Sequence, residues 1–359
     1  MKIVIAGGGT AGHVNPALAL AAALENDDVT FVGTIEGLEA RLVTAADFPF
    51  ETIDVVGFDR ARPVTFPAVG WRALKAVGRA RRILRRLRPD VVVGMGGYVS
   101  LPVSLAAATR GVPLVLHEQN IVLGLAHNAT RVFARRIAVS FEETLAALGS
   151  KGVLTGNPVP ADLASLDRSA HRDQARARFG LAPDVPTVLV FGGSLGARRL
   201  NAAAVELAEL WSSRADRQIL HITGRAEASQ VPHGDGAPGA GYAALDFVDG
   251  MPDAYAAADV AVCRGGASTV AELTAVALPA VIVPYPHHRD RQQQRHGEVL
   301  QRAGAGVVVA DAAASGSRIA QELERMLAPM TLSAMEAAAR GLGRPDAALR
   351  LAEVVRSAG

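Results

Sequence analysis

Lys2-Ile3-Val4-Ile5-Ala6-Gly7-Gly8-Gly9-Thr10-Ala11-Gly12-His13 opens the chain, and Asn15-Pro16 leads from it into an Ala/Leu run ending at Leu24. A short apolar stretch, a glycine turn and a helical pattern in that order begin a βαβ unit. Asn15 suits the N-cap of a helix over 16–24, and Pro16 its first turn, where a missing N–H costs nothing. Glycines ahead of a helix N-terminus let backbone amides approach an anion, with the helix dipole assisting. A tight turn that simply needs positive φ is the competing reading. The spacing is not GxGxxG with an acid about 20 residues on. Glu25 and Asp27 come too early and Glu36 lies past the next strand, which weakens a nicotinamide reading.

The same alternation continues outward. Strands are expected at 2–6, 29–32, 51–55, 91–94, 113–116 and 136–139, with helices such as 68–87 and 99–109 between them. Strands apolar on both faces expect helices on both sides. Around Gly156-Asn157-Pro158-Val159-Pro160 the chain becomes turn-rich, and the pattern restarts at 187–191, 218–222, 259–263, 280–283 and 306–309. The expectation is α/β: two doubly wound parallel-sheet domains in tandem, 1–157 and 158–344. A ligand would sit in the cleft between them, at the carboxyl ends of the strands.

The glycine turn recurs as Gly94-Met95-Gly96-Gly97-Tyr98, as Gly192-Gly193-Ser194-Leu195-Gly196 and as Arg264-Gly265-Gly266 before Ala267-Ser268-Thr269-Val270-Ala271-Glu272. Such junctions in both halves are hard to explain as turns alone. Ser268 and Thr269 suit a helix cap, and Glu272, one turn in, suits vicinal hydroxyls or a plain capping box. His117-Glu118-Gln119-Asn120 and the 284–294 segment also follow strands. The pair His287-His288 has no second cluster at ligand spacing, so no metal site is expected. His13, placed in a glycine loop, is the best isolated acid–base candidate, because a neutral imidazole can take a hydroxyl proton near pH 7.

Composition bounds the rest. The 359 residues are 50% apolar and 20% charged, which excludes a disordered polymer and favours two cores. Aromatics at 4% argue against a base-stacking platform, and a net charge of +2 against a nucleic-acid glove. The single cysteine, Cys263, excludes a disulfide framework. No signal peptide is expected, and the uncharged stretches 3–24 and 91–109 are broken by glycine and proline, so an intracellular, soluble chain is expected. The small net charge hides an asymmetry: 17 Lys and Arg against 13 acids in 1–157, and 20 against 22 thereafter. Trp71, Arg72, Lys75, Arg79, Arg81, Arg82, Arg85, Arg86 and Arg88 fall in one stretch without an acid. With Leu74, Val77, Ile83, Leu84 and Leu87 among them, the stretch suits a basic helix on an anionic bilayer, or a solvated face.

Taken in order, Gly8–His13, Gly94–Ser100, His117–Asn120, Gly156–Val159, Gly192–Ser194 and Asp290-Arg291-Gln292-Gln293 resemble the MurG family of bacterial N-acetylglucosaminyltransferases, over nearly the whole chain. The resemblance implies a GT-B fold and an inverting transfer of GlcNAc from UDP-GlcNAc to the C4 hydroxyl of MurNAc in lipid I, giving lipid II. It implies no cofactor, a peripheral place on the cytoplasmic face of the plasma membrane, and cell-wall or division proteins as further partners; nucleic acid is not one. Carried over by motif, Ser194, Val248, Ala267 to Glu272, Gln292 and Gln293 would hold the donor, with Thr10, Ala11, Gly12 and Asn120 completing its site. His13 would be the base, with Gly96, Gly97, Tyr98, His117 and Glu118 on the acceptor side. The helix 345–358 would cross back onto the first domain.

The chain departs from the family pattern at Pro160, where an arginine is usual, at Leu195 in place of glutamine, and at Leu101 in place of glycine. These bear on the phosphate contact and on donor affinity, with Arg198 or Arg199 as candidate replacement cations. Two other functions fit the same architecture: a UDP-GlcNAc 2-epimerase, needing no lipid acceptor, and a nucleotide-sugar-binding protein without turnover.

Overall fold

A computed structural model describes residues 1–55, 66–193, 196–226, 241–287 and 290–359, with the backbone alone for 66–74. The chain forms two compact units, 1–160 with 346–359, and 161–345. The switch thus falls at Pro160, three residues beyond the expected 157.

In the first unit β1 (Lys2–Ala6), β2 (Asp28–Gly33), β3 (Phe50–Thr52), β4 (Val91–Gly94), β5 (Leu114–Glu118), β6 (Arg136–Val139) and β7 (Gly152–Leu154) form one parallel sheet in the order β3-β2-β1-β4-β5-β6-β7. In the second, β8 (Thr187–Phe191), β9 (Gln218–Ile222), β10 (Tyr242–Leu245), β11 (Val260–Cys263), β12 (Ala280–Ile282) and β13 (Gly306–Val308) follow the order β10-β9-β8-β11-β12-β13. Strand order reverses between β1 and β4 in one sheet and between β8 and β11 in the other. The helices that leave those strands go to opposite faces, and a crevice opens there at the strands' carboxyl ends. The glycine turns after β1, β4, β8 and β11 all stand at these crevices.

Both sheets are covered on two faces, as strands without polar alternation require. Leu20, Leu24, Ile5, Val93, Leu351 and Val355 pack on one face of the first sheet, where helix Ala347–Ala358 joins helix Ala11–Ala23. Val4, Val92, Val103, Ile83 and Leu84 fill the other. Arg356 Nε reaches Asp27 Oδ2 at 3.0 Å and Arg135 donates to the Ala358 carbonyl, so the last helix is held at its C-terminal end. The expected start of that helix at Pro345 moves to Ala347, because Asp346 occupies the N-cap.

Three other expectations are corrected. The first helix begins at Ala11, with Thr10 extended at its N-cap, so Asn15 and Pro16 lie inside it. Gly9 at φ 91° turns the chain early, and the amides of His13 and Val14 already bond to the Thr10 carbonyl. The third strand is only Phe50–Thr52, and β7 and β10 were missed. In helix Phe66–Leu87, Ala76, Ala80, Ile83 and Leu84 are buried and Val77 and Leu87 half-buried against the same core. Those apolar residues therefore face the protein, not a bilayer. Lys75, Arg79, Arg81, Arg82, Arg85 and Arg86 are exposed, and Arg86 pairs with Glu51 at 2.6 Å. The side chains of Trp71, Arg72 and Leu74 lie outside the described residues.

In the second unit a buried arginine ties two helix ends together. Arg168 donates to the carbonyls of Ala258 (2.5 Å), Tyr255 (3.2 Å) and Ala277 (2.8 Å), which follow or end helices Pro252–Ala257 and Ala267–Ala275. Carbonyls at helix C-termini lack intrahelical partners and favour a cation. Arg168→Ala is expected to destabilise this unit by about 3 kcal/mol. An unchanged urea midpoint of Trp211 fluorescence, in a Trp71→Phe background, would contradict it.

Candidate active site

The first crevice is built by two glycine turns in contact. Gly97 has φ 74°, and a Cβ there would collide with the Gly8 carbonyl; one at Gly9 would meet the Tyr98 ring at 2.8 Å. Beneath the first turn lies Glu39, 1% exposed, whose carboxylate accepts from Gly9 N (3.0 Å), Thr34 N (3.0 Å) and Thr34 Oγ1 (2.8 Å). Burial would raise its pKa, but these donors outweigh burial and hold it below the usual carboxylate range. A permanent negative charge on the Gly9 amide makes that amide a poor seat for phosphate.

His13 lies in the first turn of helix Ala11–Ala23 rather than in the loop, half-buried, its Nδ1 3.0 Å from Thr10 Oγ1. Desolvation lowers its pKa below 6.5, helped by His127 and opposed by Glu118, Glu39 and the Gly8 carbonyl. The ring is thus held neutral near pH 7, the form that accepts a proton. Behind it, the carboxyl end of β5 forms a closed polar network. Glu118, 2% exposed, accepts from Asn120 N (3.0 Å), Asn120 Nδ2 (3.1 Å), Gly124 N (2.8 Å) and the His127 ring (2.8 Å). Burial works against its charge, yet the His127 bond and these amides bring its pKa down to about 2. His117 is fully buried between the Gly156 carbonyl (3.0 Å) and Gln119 Nε2 (3.2 Å), and burial pushes its pKa down to about 4. Gln119 also donates to the Met95 carbonyl, tying β5 to the second glycine turn.

The second crevice has a different character. Helix Ala267–Ala275 starts after Gly266 with no side-chain cap. Ser268 and Thr269 therefore do not cap it, and Ser268 Oγ is buried without a partner. Its first-turn amides and dipole stay open to an anion. Glu272, one turn in, accepts from the Tyr255 hydroxyl at 2.7 Å. Burial lifts the Glu272 carboxyl to about 7, with Asp162 adding to the rise and the Tyr255 bond opposing it. From the next helix, His296 Nδ1 bonds to the Gly265 carbonyl at 2.9 Å and anchors the turn. Gln292 donates to Asp290 Oδ2 (2.9 Å) and leaves its own Oε1 unpartnered, whereas Gln293 Oε1 accepts from Tyr285 N (2.9 Å). Val248 is half-buried in the loop after β10, beside Phe247, whose ring carries the Arg225 guanidinium at 3.9 Å.

In the first unit, Thr10, Ala11, Gly12, His13, Gly96, Gly97 and Tyr98 lie along the β1/β4 crevice. His117 and Glu118 stand behind it with every polar atom engaged, and Asn120 is locked to Glu118. In the second unit, Ala267 to Glu272 and Gln292–Gln293 meet around Gly265. Ser194, Leu195 and His288 lie outside the described residues. Arg198 and Arg199 are exposed in the first turn of helix Arg198–Leu210. Sequence reasoning missed Glu39, His127 and Tyr255, each remote along the chain from the turn it serves and part of no motif.

Glycosyltransferase family 28 describes both halves, its N-terminal domain matching residues 3–139 and its C-terminal domain residues 187–351. A UDP-N-acetylglucosamine--N-acetylmuramyl-(pentapeptide) pyrophosphoryl-undecaprenol N-acetylglucosamine transferase of a Nocardioides species is 43% identical, covering 100% of this chain and 98% of its own. Its namesake from Streptomyces collinus is also 43% identical, over 97% of this chain and 96% of its own. Among solved structures, MurG of Acinetobacter baumannii superposes with a TM-score of 0.79 at 28% identity, covering 99% of both chains. A UDP-GlcNAc 2-epimerase from Neisseria meningitidis reaches 0.68 at 13% identity over 99% and 100%, a likeness of fold alone.

The contact of the two glycine turns has a direct consequence. Gly97→Ala forces the Gly8 carbonyl away and strains a positive φ, so a loss of about 2 kcal/mol or more is expected for the first unit. Hydrogen exchange at the 7–13 and 94–98 amides that matches the wild type would contradict it.

Proposed function

The chain belongs to glycosyltransferase family 28, and on that premise we propose that it moves GlcNAc from UDP-GlcNAc to the C4 hydroxyl of MurNAc in undecaprenyl-pyrophosphoryl-MurNAc-pentapeptide, lipid I, giving lipid II for peptidoglycan. The observation that carries this reading is the division of chemistry between the units: an imidazole kept neutral in one, and an uncapped helix N-terminus beside a half-buried carboxylate in the other.

The donor belongs to the second unit. The amides of Ala267, Ser268 and Thr269 take the pyrophosphate, Glu272 accepts from the ribose hydroxyls, Val248 reads uracil through its backbone, and Gln292 and Gln293 meet the sugar. Ser194 and, in place of the arginine absent at Pro160, Arg198 or Arg199 add to the phosphate contact. Thr10, Ala11, Gly12 and Asn120 supply the first unit's share. The acceptor lies along Gly96, Gly97 and Tyr98, with His117 and Glu118 holding that wall in shape.

In the reaction the C4 oxygen attacks C1 of GlcNAc from the face opposite UDP. The O4–C1 bond forms, the bond from C1 to the β-phosphate oxygen breaks, and the anomeric configuration inverts. His13 accepts the hydroxyl proton, and UDP leaves with the electron pair, its charge stabilised by the helix N-terminus without need of a metal. No helix among the described residues is long and apolar enough to cross a membrane. A lipid-linked acceptor then requires a peripheral approach to the cytoplasmic face, through Lys75, Arg79, Arg82 and Arg86, with Trp71 and Arg72 on the same helix. Cell-wall or division proteins are further partners in this reading.

His13→Ala is expected to lower kcat for transfer to a lipid I analogue about 100-fold or more while UDP-GlcNAc binding persists. Epimer formed from the donor alone, or tight donor binding without transfer by the wild type, would overturn the transferase reading. A second outcome follows from Glu272. Its carboxyl must be ionised to accept from two ribose hydroxyls, and burial places it near 7. Affinity for UDP-GlcNAc, whose pyrophosphate does not titrate in this range, should therefore fall about tenfold from pH 8 to pH 6. Removing the Tyr255 bond lifts the carboxyl further, so Tyr255→Phe starts that fall at higher pH. Calorimetry showing pH-independent affinity would remove Glu272 from the ribose.

A further inference from the structure

His127 is 2% exposed and carries no part of any motif, yet its ring is fixed at both nitrogens. Nδ1 lies 2.8 Å from Glu118 Oε2 and Nε2 lies 3.2 Å from the Gly94 carbonyl. Both partners are acceptors: one a backbone oxygen, the other a carboxylate that also takes three N–H donors from Asn120 and Gly124. A neutral imidazole has one N–H and would set a lone pair against one of these oxygens. Only the doubly protonated ring donates to both, and in that form Glu118 and His127 are a buried ion pair.

That pair stands next to the proposed base. A Cβ built on Gly96 would lie 2.9 Å from His13 Cδ2 and 3.5 Å from His127 Cε1, so the two rings flank one glycine and a side chain there would strike both. The turn that carries Gly96 begins at Gly94, whose carbonyl His127 grips. We infer that His127, held by Glu118, is a positioning residue for His13: it fixes the Gly94–Gly97 turn against the base and sets a positive charge beside it that disfavours the imidazolium form.

The other groups facing His13 fit this assignment. Glu39 from helix Leu38–Ala45 and Glu118 from β5 both favour a protonated His13, whereas His127 opposes it. His117, also from β5, is held neutral by burial, its pKa pushed down to about 4. Without a cation paired to Glu118, two buried carboxylates would face His13 with nothing of opposite sign between them. The imidazolium at 127 offsets one of them at its source, which leaves burial to dominate the base. The charge acts through the pair: removing His127 subtracts a positive charge and also unmasks Glu118.

The inference rests on His13 as base, so the test separates the two. The pH profile of kcat/KM for transfer falls on its acid side as His13 protonates. In His127→Gln, whose amide can still donate to Glu118 but carries no charge, that acid limb is expected to move up by about half a pH unit or more. The plateau falls as well once the bond to the Gly94 carbonyl is lost, so the position of the limb and not the height of the plateau carries the test. In Glu118→Gln/His127→Gln the two charges go together, and the limb should return toward the wild type. A limb that does not move in His127→Gln, whatever happens to the rate, overturns the assignment, since a merely structural role lowers the plateau alone. A limb displaced equally in the double variant overturns the pairing. Where either variant fails to fold, nitrogen-15 histidine spectra of the wild-type chain answer the same question. Both His127 ring nitrogens should show bound protons at pH 7.5, and a single-N–H tautomer there overturns the inference. His13→Ala reports on the base alone: if it keeps its rate, the base reading fails whatever the His127 spectra show.

Discussion

A carboxylate at 2% exposure is the constraint around which the wall behind His13 is organised. Burying Glu118 without partners would cost several kcal/mol, and the chain supplies four donors from three residues around it. Satisfying those donors dictates the local path. The chain must turn back after Asn120 so that the Gly124 amide points inward, and helix Leu125–Thr130 must start there so that His127 reaches the same oxygen. His127 then reaches Gly94, Gln119 reaches Met95, and the second glycine turn is pinned against the first. The position of His13 is thus a consequence of how one buried charge is satisfied.

The second unit solves the opposite problem. Its crevice keeps polar groups unsatisfied where a ligand would satisfy them: an uncapped helix start, a hydroxyl at Ser268 and an amide oxygen at Gln292 without partners. A rigid frame holds these groups in place. Arg168 gathers four carbonyls from the ends of the helices on either side of β11, and Arg176 pairs with buried Asp259 at 2.7 Å. The two doubly wound domains of similar topology thus carry different polar inventories at their crevices.

Much of this was legible in the chain. Apolar runs such as Lys2–Ala6, Val91–Gly94, Arg136–Val139, Thr187–Phe191 and Gln218–Ile222 were read to the residue, because fully buried parallel strands leave no polar alternation to blur their ends. The glycine turns were legible because they stand where strand order reverses. Two of the four edge strands were not: Gly152–Leu154 and Tyr242–Leu245 are only half-buried and lack the apolar signal. Pro16 misplaced the first helix, since proline marks a first turn by habit while Gly9 had already turned the chain. Glu39, His127 and Tyr255 were illegible for a common reason. Each acts across 17 to 33 residues of sequence through a bond that exists only once the sheet has formed.

The basic helix shows how a structure can narrow a sequence reading without deleting it. Read as a string, Val77, Ile83, Leu84 and Leu87 among arginines suggested a basic helix lying on an anionic bilayer surface, or a solvated face. Folded, Ile83 and Leu84 are buried and Val77 and Leu87 lean on the same core, so the described outer face is cationic without an apolar edge. A surface of this kind meets an anionic bilayer by charge alone, and charge between exposed groups is screened over about 8 Å at physiological salt. Attraction through Lys75, Arg79, Arg82 and Arg86 would then be reversible and steeply salt-dependent, the behaviour of a chain that visits the membrane rather than one anchored in it. The asymmetry between the halves acquires a physical sense. Excess positive charge in the first unit sits on the exposed face of this helix, while the buried carboxylates Glu39 and Glu118 are satisfied in the interior by their own donors.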